Sequence, residues 1–330
     1  MLEFLSFPVF FLIICSFYAI SCLGLNIQYG FTGLFNVGVA GFFAIGAYTS
    51  AILSGPKYPD TLIGGFELPI LVAWLAALVT SAIIGLLVGL ITLRLREDFL
   101  AISTFGIAIT IQLVALNLES FTRGPNGLYG LPKPLSGWSE DPAVDNILFL
   151  MICFVILLAL YLSLERIYKS PWGRVLRSIR EDEFAAESMG KDVFSYRLQA
   201  FVLGCAIMGL SGAMYANFMR FISPQDFMPI FTIQVYVMLI AGGKGNNLGA
   251  ILGALMIWGL WSASDSLIAL LVTPDFQTQA AAMRLVVIGL VLILMLLYRP
   301  AGILPEKRMS VFLKIKFNMN IRFRIKMCTV

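Results

Sequence analysis

Long apolar runs separated by short polar stretches dominate the chain. A helix needs about 20 apolar residues to cross the hydrocarbon layer. On that requirement spans are predicted at residues 5–25, 37–53, 68–93, 100–118, 147–164, 198–218, 248–264 and 285–298. A further apolar piece, residues 230–241, is brief for a full crossing and runs into a glycine-rich break. It reads either as a ninth span or as a re-entrant hairpin with Gly242 at its tip. The predicted fold class is therefore all-α, a polytopic transmembrane helical bundle of roughly eight or nine spans with room for broken or re-entrant helices. The first run carries no charge, and its leader has Glu3 but no Lys or Arg, so it is expected to be a retained span and not a cleaved leader.

Composition agrees with the pattern. Hydrophobic residues make up 59% of the 330 positions and charged residues 13%, with a mean hydropathy of +0.89. A water-facing globule of this length carries about a quarter charged residues. The charges are also unevenly placed. Arg94 and Arg96, the segment from Arg166 to Arg197, Lys244 and the tail from Arg299 hold most of the 23 Lys and Arg residues. Only Lys57, Arg123, Lys133, Arg220 and Arg284 are left for the opposite face. Basic loops stay on the cytoplasmic side, so the N-terminus is expected outside and the C-terminus inside. Residues 1–306 are expected to form one transmembrane domain with a cytoplasmic loop at 165–197. Residues 307–330 form a basic tail, read as an amphipathic segment on the inner leaflet or as an unstructured extension.

The chain lacks the means for chemistry of its own. It has no histidine, and its five cysteines include no C-x-x-C pair, so neither a metal site nor a disulfide framework is indicated. The spans contain no Asp, Glu, Lys or Arg away from their ends, which argues against a proton relay. Gly242-Gly243-Lys244-Gly245 is not a phosphate loop, because it lacks the spacing between glycines and the Ser or Thr after the Lys. It reads as a tight turn at a membrane boundary. Sodium coupling through the carbonyls of a broken helix stays open.

The most patterned polar segment is residues 170–197. Arg174, Arg177 and Arg180 recur every three residues and form a basic stripe, while Val175, Ile179 and Phe184 are free to face an apolar surface. Glu181, Asp182 and Glu183 suit the start of a second short helix. Ala185 and Ala186 keep its surface low, Glu187 continues its polar side, and Gly190 is placed to cap its C-terminus. Such a segment either docks in a partner's groove or is a solvated connector whose basic stripe meets anionic headgroups. Inside the spans the polar candidates for a solute path are Asn36, Thr104, Gln112 and Asn117; the competing role for each is hydrogen bonding between helices. Gly38, Gly41, Gly46, Gly249 and Gly253 read as positions of close helix approach.

Four ordered blocks then carry a resemblance that covers most of the chain. They are GFTGLFNVGVAGFFAIGAYTSAIL at residues 30–53, REDFLAISTFGIAITIQLVALNLESFTRGPNGLYGLP at 96–132, SPWGRVLRSIREDEFAAESMG at 170–190 and GGKGNNLGAILGA at 242–254. In these blocks the chain resembles the permease subunits of ATP-binding cassette (ABC) importers for branched-chain amino acids, of the LivM type.

The resemblance implies a non-catalytic subunit without a cofactor, in a bacterial inner membrane. It implies a second homologous permease, two ABC ATPase subunits and a periplasmic solute-binding protein as partners, and no nucleic acid. It also implies that Arg180, Glu181, Asp182, Glu183, Ala185, Ala186, Glu187 and Gly190 belong to a loop that fits a cleft on the ATPase. The family's pattern of Glu-Ala-Ala, three intervening residues and Gly is matched at Ala185, Ala186 and Gly190; Phe184 stands in the Glu position. Two other readings remain: a urea or small-solute permease of the same superfamily, and a self-sufficient sodium-coupled carrier.

Overall fold

The computed structural model describes residues 2–58, 61–62, 64–135, 142–271 and 302–306, together with positions 289, 290, 293 and 297. The expected span at 285–298, apart from those isolated positions, and the tail at 307–330 lie outside the described residues.

The described chain is mostly helical. Helix α1 (Leu2–Leu25) continues into a π-helical turn (Asn26–Phe31) and is followed by α2 (Val39–Ser54), α3 (Ile70–Thr92), α4 (Glu97–Asn117) and a single turn α5 (Glu119–Thr122). Then come α6 (Pro142–Lys169), α7 (Pro171–Glu181), α8 (Glu183–Ser188), α9 (Val193–Met219), α10 (Pro229–Gly242) and α11 (Asn247–Leu271). The strands are two short pieces, β1 (Leu128–Tyr129) and β2 (Phe221–Ile222), paired antiparallel with Leu128 opposite Ile222 and Tyr129 opposite Phe221.

Six of these helices are long and apolar enough to cross a membrane: Phe7–Phe31, Ile70–Thr92, Asp98–Asn117, Ala143–Lys169, Val193–Met219 and Asn247–Ser264. The apolar helices α2 and α10 are shorter, at 16 and 14 residues. At 1.5 Å per residue they reach about 24 and 21 Å, short of a hydrocarbon layer of about 30 Å. Both are nonetheless among the most buried elements, since α2 packs on α9, α3 and α4, and α10 on α11 and α1.

Burial divides the bundle into a centre and a rim. The windows of α1 and α9 are 72% buried, that of α6 only 17%. Helix α9 is the axis, touching α1, α2 and α3 along its length. Its small residues make this closeness achievable. A Cβ on Gly46 would fall on the Gly209 carbonyl, and one on Gly212 on the Phe43 carbonyl, so α2 and α9 meet backbone to backbone. The other glycines expected at close approaches behave likewise: Gly41 abuts Ala108 of α4, and Gly249 and Gly253 abut Gly242 across the α10–α11 turn. The rim helices present Leu71, Leu75, Ile83 and Leu87 of α3, or Phe154, Val155 and Leu162 of α6, to the outside, as lipid-facing surfaces do.

The loops gather at the two ends. Residues 55–58, 61–62, 64–69, 118–135 and 220–228 meet at one: Tyr58 donates to the Tyr129 carbonyl, Leu131 N–H to Arg220 O at 3.3 Å, and Asn217 Nδ2 to Pro132 O at 2.9 Å. Lys57, Arg123, Lys133 and Arg220, expected on a common face, lie in or beside these loops. Arg123 has its guanidinium over Tyr58 and Tyr129, at 5.0 and 4.9 Å. Burial pushes the Lys133 ammonium down from its ordinary range, opposed by Asp145 and reinforced by Arg220. At the other end sit the π-helical turn, α7, the turn at 243–247 and residues 302–306. Helix α10 joins the two clusters. It ends where Gly243 and Gly245 adopt positive φ of 119° and 82°, the tight boundary turn expected of these glycines.

Candidate coupling surface and transport core

Two features fit a transport component: a non-helical segment in the buried centre, and a helical hairpin that projects from the end opposite the β ribbon.

The first is the connection between α1 and α2. Residues 33–38 are not helical, yet Leu34, Asn36 and Gly38 are buried while Phe35 is 39% exposed, so the buried backbone groups need partners. Leu34 N–H donates to Gln28 O at 2.9 Å, and Val37 N–H to Thr104 Oγ1 at 3.0 Å. Gly38 N–H donates to Asn36 Oδ1 at 2.8 Å. Ala40 N–H, at the start of α2, donates to Thr232 Oγ1 at 3.0 Å, and the Asn36 carbonyl accepts from Tyr236 Oη at 2.9 Å. Asn36 Nδ2 in turn donates to Gln28 Oε1 at 2.8 Å, and Gln28 Nε2 to Phe201 O of α9 at 2.7 Å.

This places the four residues singled out for a solute path. Asn36 and Thr104, 0% and 1% exposed, are occupied in holding the break. Gln112 Nε2 donates to Pro224 O at 3.1 Å and ties α4 to the 3-10 turn before α10. Asn117 is exposed and donates to Leu113 O of its own helix. The structure does not bring the four together. Sequence reasoning missed Gln28, Thr232, Tyr236 and Asn217, because each lies in a mostly apolar stretch and bonds to an element distant in the chain, as Gln28 does to Phe201 and Thr232 to Ala40.

The second feature is the α7–α8 hairpin. Ser170 and Asp182 cap its helices by accepting from Gly173 N–H and Ala185 N–H. Gly190, with φ of +76°, closes α8: its N–H donates to Glu187 O at 2.8 Å and Lys191 N–H to Ala186 O at 3.2 Å. This is the C-terminal cap expected of it. Ile179, Ala186 and Val193 form a small core of their own, with Val175 and Tyr196 against it. Ala186 is thus fully buried, an internal spacer and not part of a low outer surface. Val175 and Ile179 pack inward, whereas Phe184 stands 80% exposed and Met189 67% exposed.

The charged candidates divide in the same way. Glu181, Ala185 and Glu187 are exposed around Phe184. Asp182 caps α8, and Glu183 pairs with Arg197 at 2.8 Å across the foot of the hairpin. Arg180 turns inward, to Glu306 at 2.7 Å and to the Gly30 carbonyl. Among the described residues no group of His, Cys, Asp or Glu is arranged to hold a metal ion.

Six helices of membrane-spanning length, a hydrogen-bonded backbone break and a projecting helical hairpin together fit a membrane transport component. Its family follows from comparison: residues 7–296 match the model of the branched-chain amino acid transport system / permease component family, and the chain belongs to that family. It is 32% identical to the high-affinity branched-chain amino acid transport system permease protein LivM of Escherichia coli K12, over 90% of this chain and 70% of that one. It is 33% identical to the LivM protein of Salmonella typhimurium over the same shares, and 28% identical to a probable LivM of Methanocaldococcus jannaschii over 88% and 91%. No solved structure matches the chain.

Proposed function

We propose that this chain is a permease subunit of an ABC importer for branched-chain amino acids, driven by ATPases on separate chains. Its family and LivM relatives support the solute class. The observation that carries the coupling role is the hairpin tip, where Phe184 and Met189 stand exposed among Glu181, Asp182 and Glu187. An apolar knob ringed by charge on a self-capped helix fits a partner's cleft better than it fits water, which large apolar side chains leave where they can.

In this reading the hairpin end is cytoplasmic, where the excess of Lys and Arg belongs, and the β ribbon end meets a solute-binding protein. The N-terminus is outside, the C-terminus inside, and the membrane is the bacterial inner membrane. The sparsely packed rims of α3, α4 and α6 are available to lipid and to a second, homologous permease. Asn36 and Thr104 shape the path by fixing the backbone break beside it, and Gln112 and Asn117 lie nearer the outer mouth.

The test is uptake by proteoliposomes holding this chain, the second permease, two ATPases and the binding protein. Labelled leucine is expected to accumulate with ATP inside and labelled urea is not. Urea uptake without leucine uptake would reassign the solute. Leucine accumulation by this chain alone under a sodium gradient would make it a carrier.

A further inference from the structure

Arg180 closes the last turn of α7, and its guanidinium points away from the exposed tip. Nη2 meets Glu306 Oε2 at 2.7 Å, and Nη1 donates to the carbonyl of Gly30 in the π-helical turn. The other Glu306 oxygen accepts from Tyr168 Oη at 3.1 Å. Arg177 Nη1 donates to that same hydroxyl at 3.3 Å, and its guanidinium lies 4.4 Å from the centre of the Tyr168 ring. Gly245 borders the pair closely, since a Cβ there would stand 2.9 Å from Glu306 Oε2 and 3.2 Å from Arg180 Nη1. Its N–H donates to Asn26 Oδ1 at 2.9 Å, and Asn26 Nδ2 donates to Asn247 Oδ1 at 3.0 Å. Glu306 is anchored through its own segment, where Ile303 and Leu304 N–H donate to the Ala241 and Gly242 carbonyls at 3.0 Å each.

One ion pair therefore joins α7 to both interruptions of the bundle's regular backbone: the π-helical turn between α1 and α2, and the glycine turn between α10 and α11. At both points the regular i→i−4 ladder is interrupted, by the wider π-helical turn that leads into the non-helical residues 33–38 and by the glycine turn, and such interruptions are where helices change angle most readily. Both side chains are 23% exposed, so as a static stabiliser the pair contributes modestly. What it supplies is direction, since a guanidinium fork held on a carboxylate and a carbonyl fixes geometry as well as distance.

We propose that the Arg180–Glu306 pair is the link through which movement of the α7–α8 hairpin reaches the two backbone breaks. Arg180 and Glu306 are then positioning residues for coupling and do not contact the ATPase. The proposal rests on the reading of the chain as an ATP-driven permease.

The experiment measures ATP hydrolysis and leucine uptake in the same proteoliposomes of the full complex. Arg180→Ala and Glu306→Ala are expected to keep the ATPases bound and hydrolysis within about twofold of wild type, while leucine moved per ATP falls about tenfold or more. Arg180→Lys, which keeps the charge and loses the fork, falls in between. The reversed pair, Arg180→Glu with Glu306→Arg, recovers part of the ratio lost in either single variant, an interaction that a double-mutant comparison isolates. Hydrolysis and uptake falling in proportion, a ratio unchanged in the single variants, or no recovery in the reversed pair would each overturn the link. A wild-type complex without ATP-driven uptake of leucine or urea would overturn the functional reading and the link with it.

Discussion

Trp74 Nε1 donates to Asn217 Oδ1 at 2.9 Å, joining the start of α3 to the end of α9. The same oxygen accepts from Ser50 Oγ at 2.7 Å, and Asn217 Nδ2 donates to Ser54 Oγ at 3.1 Å and to Pro132 O at 2.9 Å. All four hydrogen-bonding positions of a fully buried amide are thus in use. Asn217→Leu leaves the Trp74 and Ser50 donors and the Pro132 carbonyl without their partner. Each orphaned buried group costs about 1–3 kcal/mol, less where the membrane-unfolded state finds other partners. The expected result is a clear drop in the melting temperature of the detergent-solubilised protein.

Glycine substitutions should separate into two kinds. Gly46→Ala pushes a methyl group onto the Gly209 backbone, and neither helix can yield without moving the axis of the bundle. Little folded protein is expected in membranes. Gly106→Ala, on α4, meets nothing within 4 Å and should stabilise by about 0.5–1 kcal/mol through helix propensity. Membrane abundance and thermal unfolding of the two variants check both statements.

The hairpin offers a third comparison. Phe184→Ala and Met189→Ala remove exposed side chains, so thermal stability should stay within about 0.5 kcal/mol while co-purification of the ATPases is lost. Ala186→Arg has the opposite profile. It forces a long charged side chain into the small core with Ile179 and Val193, so the hairpin itself should open, seen as faster proteolysis between α6 and α9.

A pH effect is expected at the foot of α9. Asp192 accepts from Ser195 N–H at 3.2 Å and Ser195 Oγ at 2.5 Å, and these bonds hold its carboxyl below the ordinary value of 3.8. A depressed carboxylate stabilises the fold above the unfolded value, and that contribution is lost as pH falls through the folded one. Asp192→Ala should therefore lower thermal stability at neutral pH, and the gap to wild type should narrow as pH falls below 3.8.

The six long helices were legible in the sequence because hydrocarbon thickness sets one length scale and their apolar runs meet it, whereas α2 and α10 fall short of it. Boundaries moved where polar residues belong to helices: α4 begins at Glu97 and α6 at Pro142, both outside the apolar windows. The turn residues Gly190, Gly243 and Gly245 were readable because positive φ favours glycine. The interior polar contacts were not. Arg180 and Glu306 lie 126 positions apart, and Asn26 and Asn247 lie 221 apart; no periodicity links such pairs. Ala186 reads as surface because two adjacent alanines carry no signal for which side of a short helix is covered.

The central position of α9 also governs the order in which the protein matures. Helices α1, α2 and α3 find their principal shared neighbour in a segment synthesised after all of them and after α4 and α6. Until residues 193–219 enter the bilayer, Gly46 has no backbone to close on and Gln28 no Phe201 carbonyl to hold. The early helices have contacts with one another, α2 with α3 and α1 with α6, but the packing that joins these pairs into one centre is completed only by the late-synthesised α9.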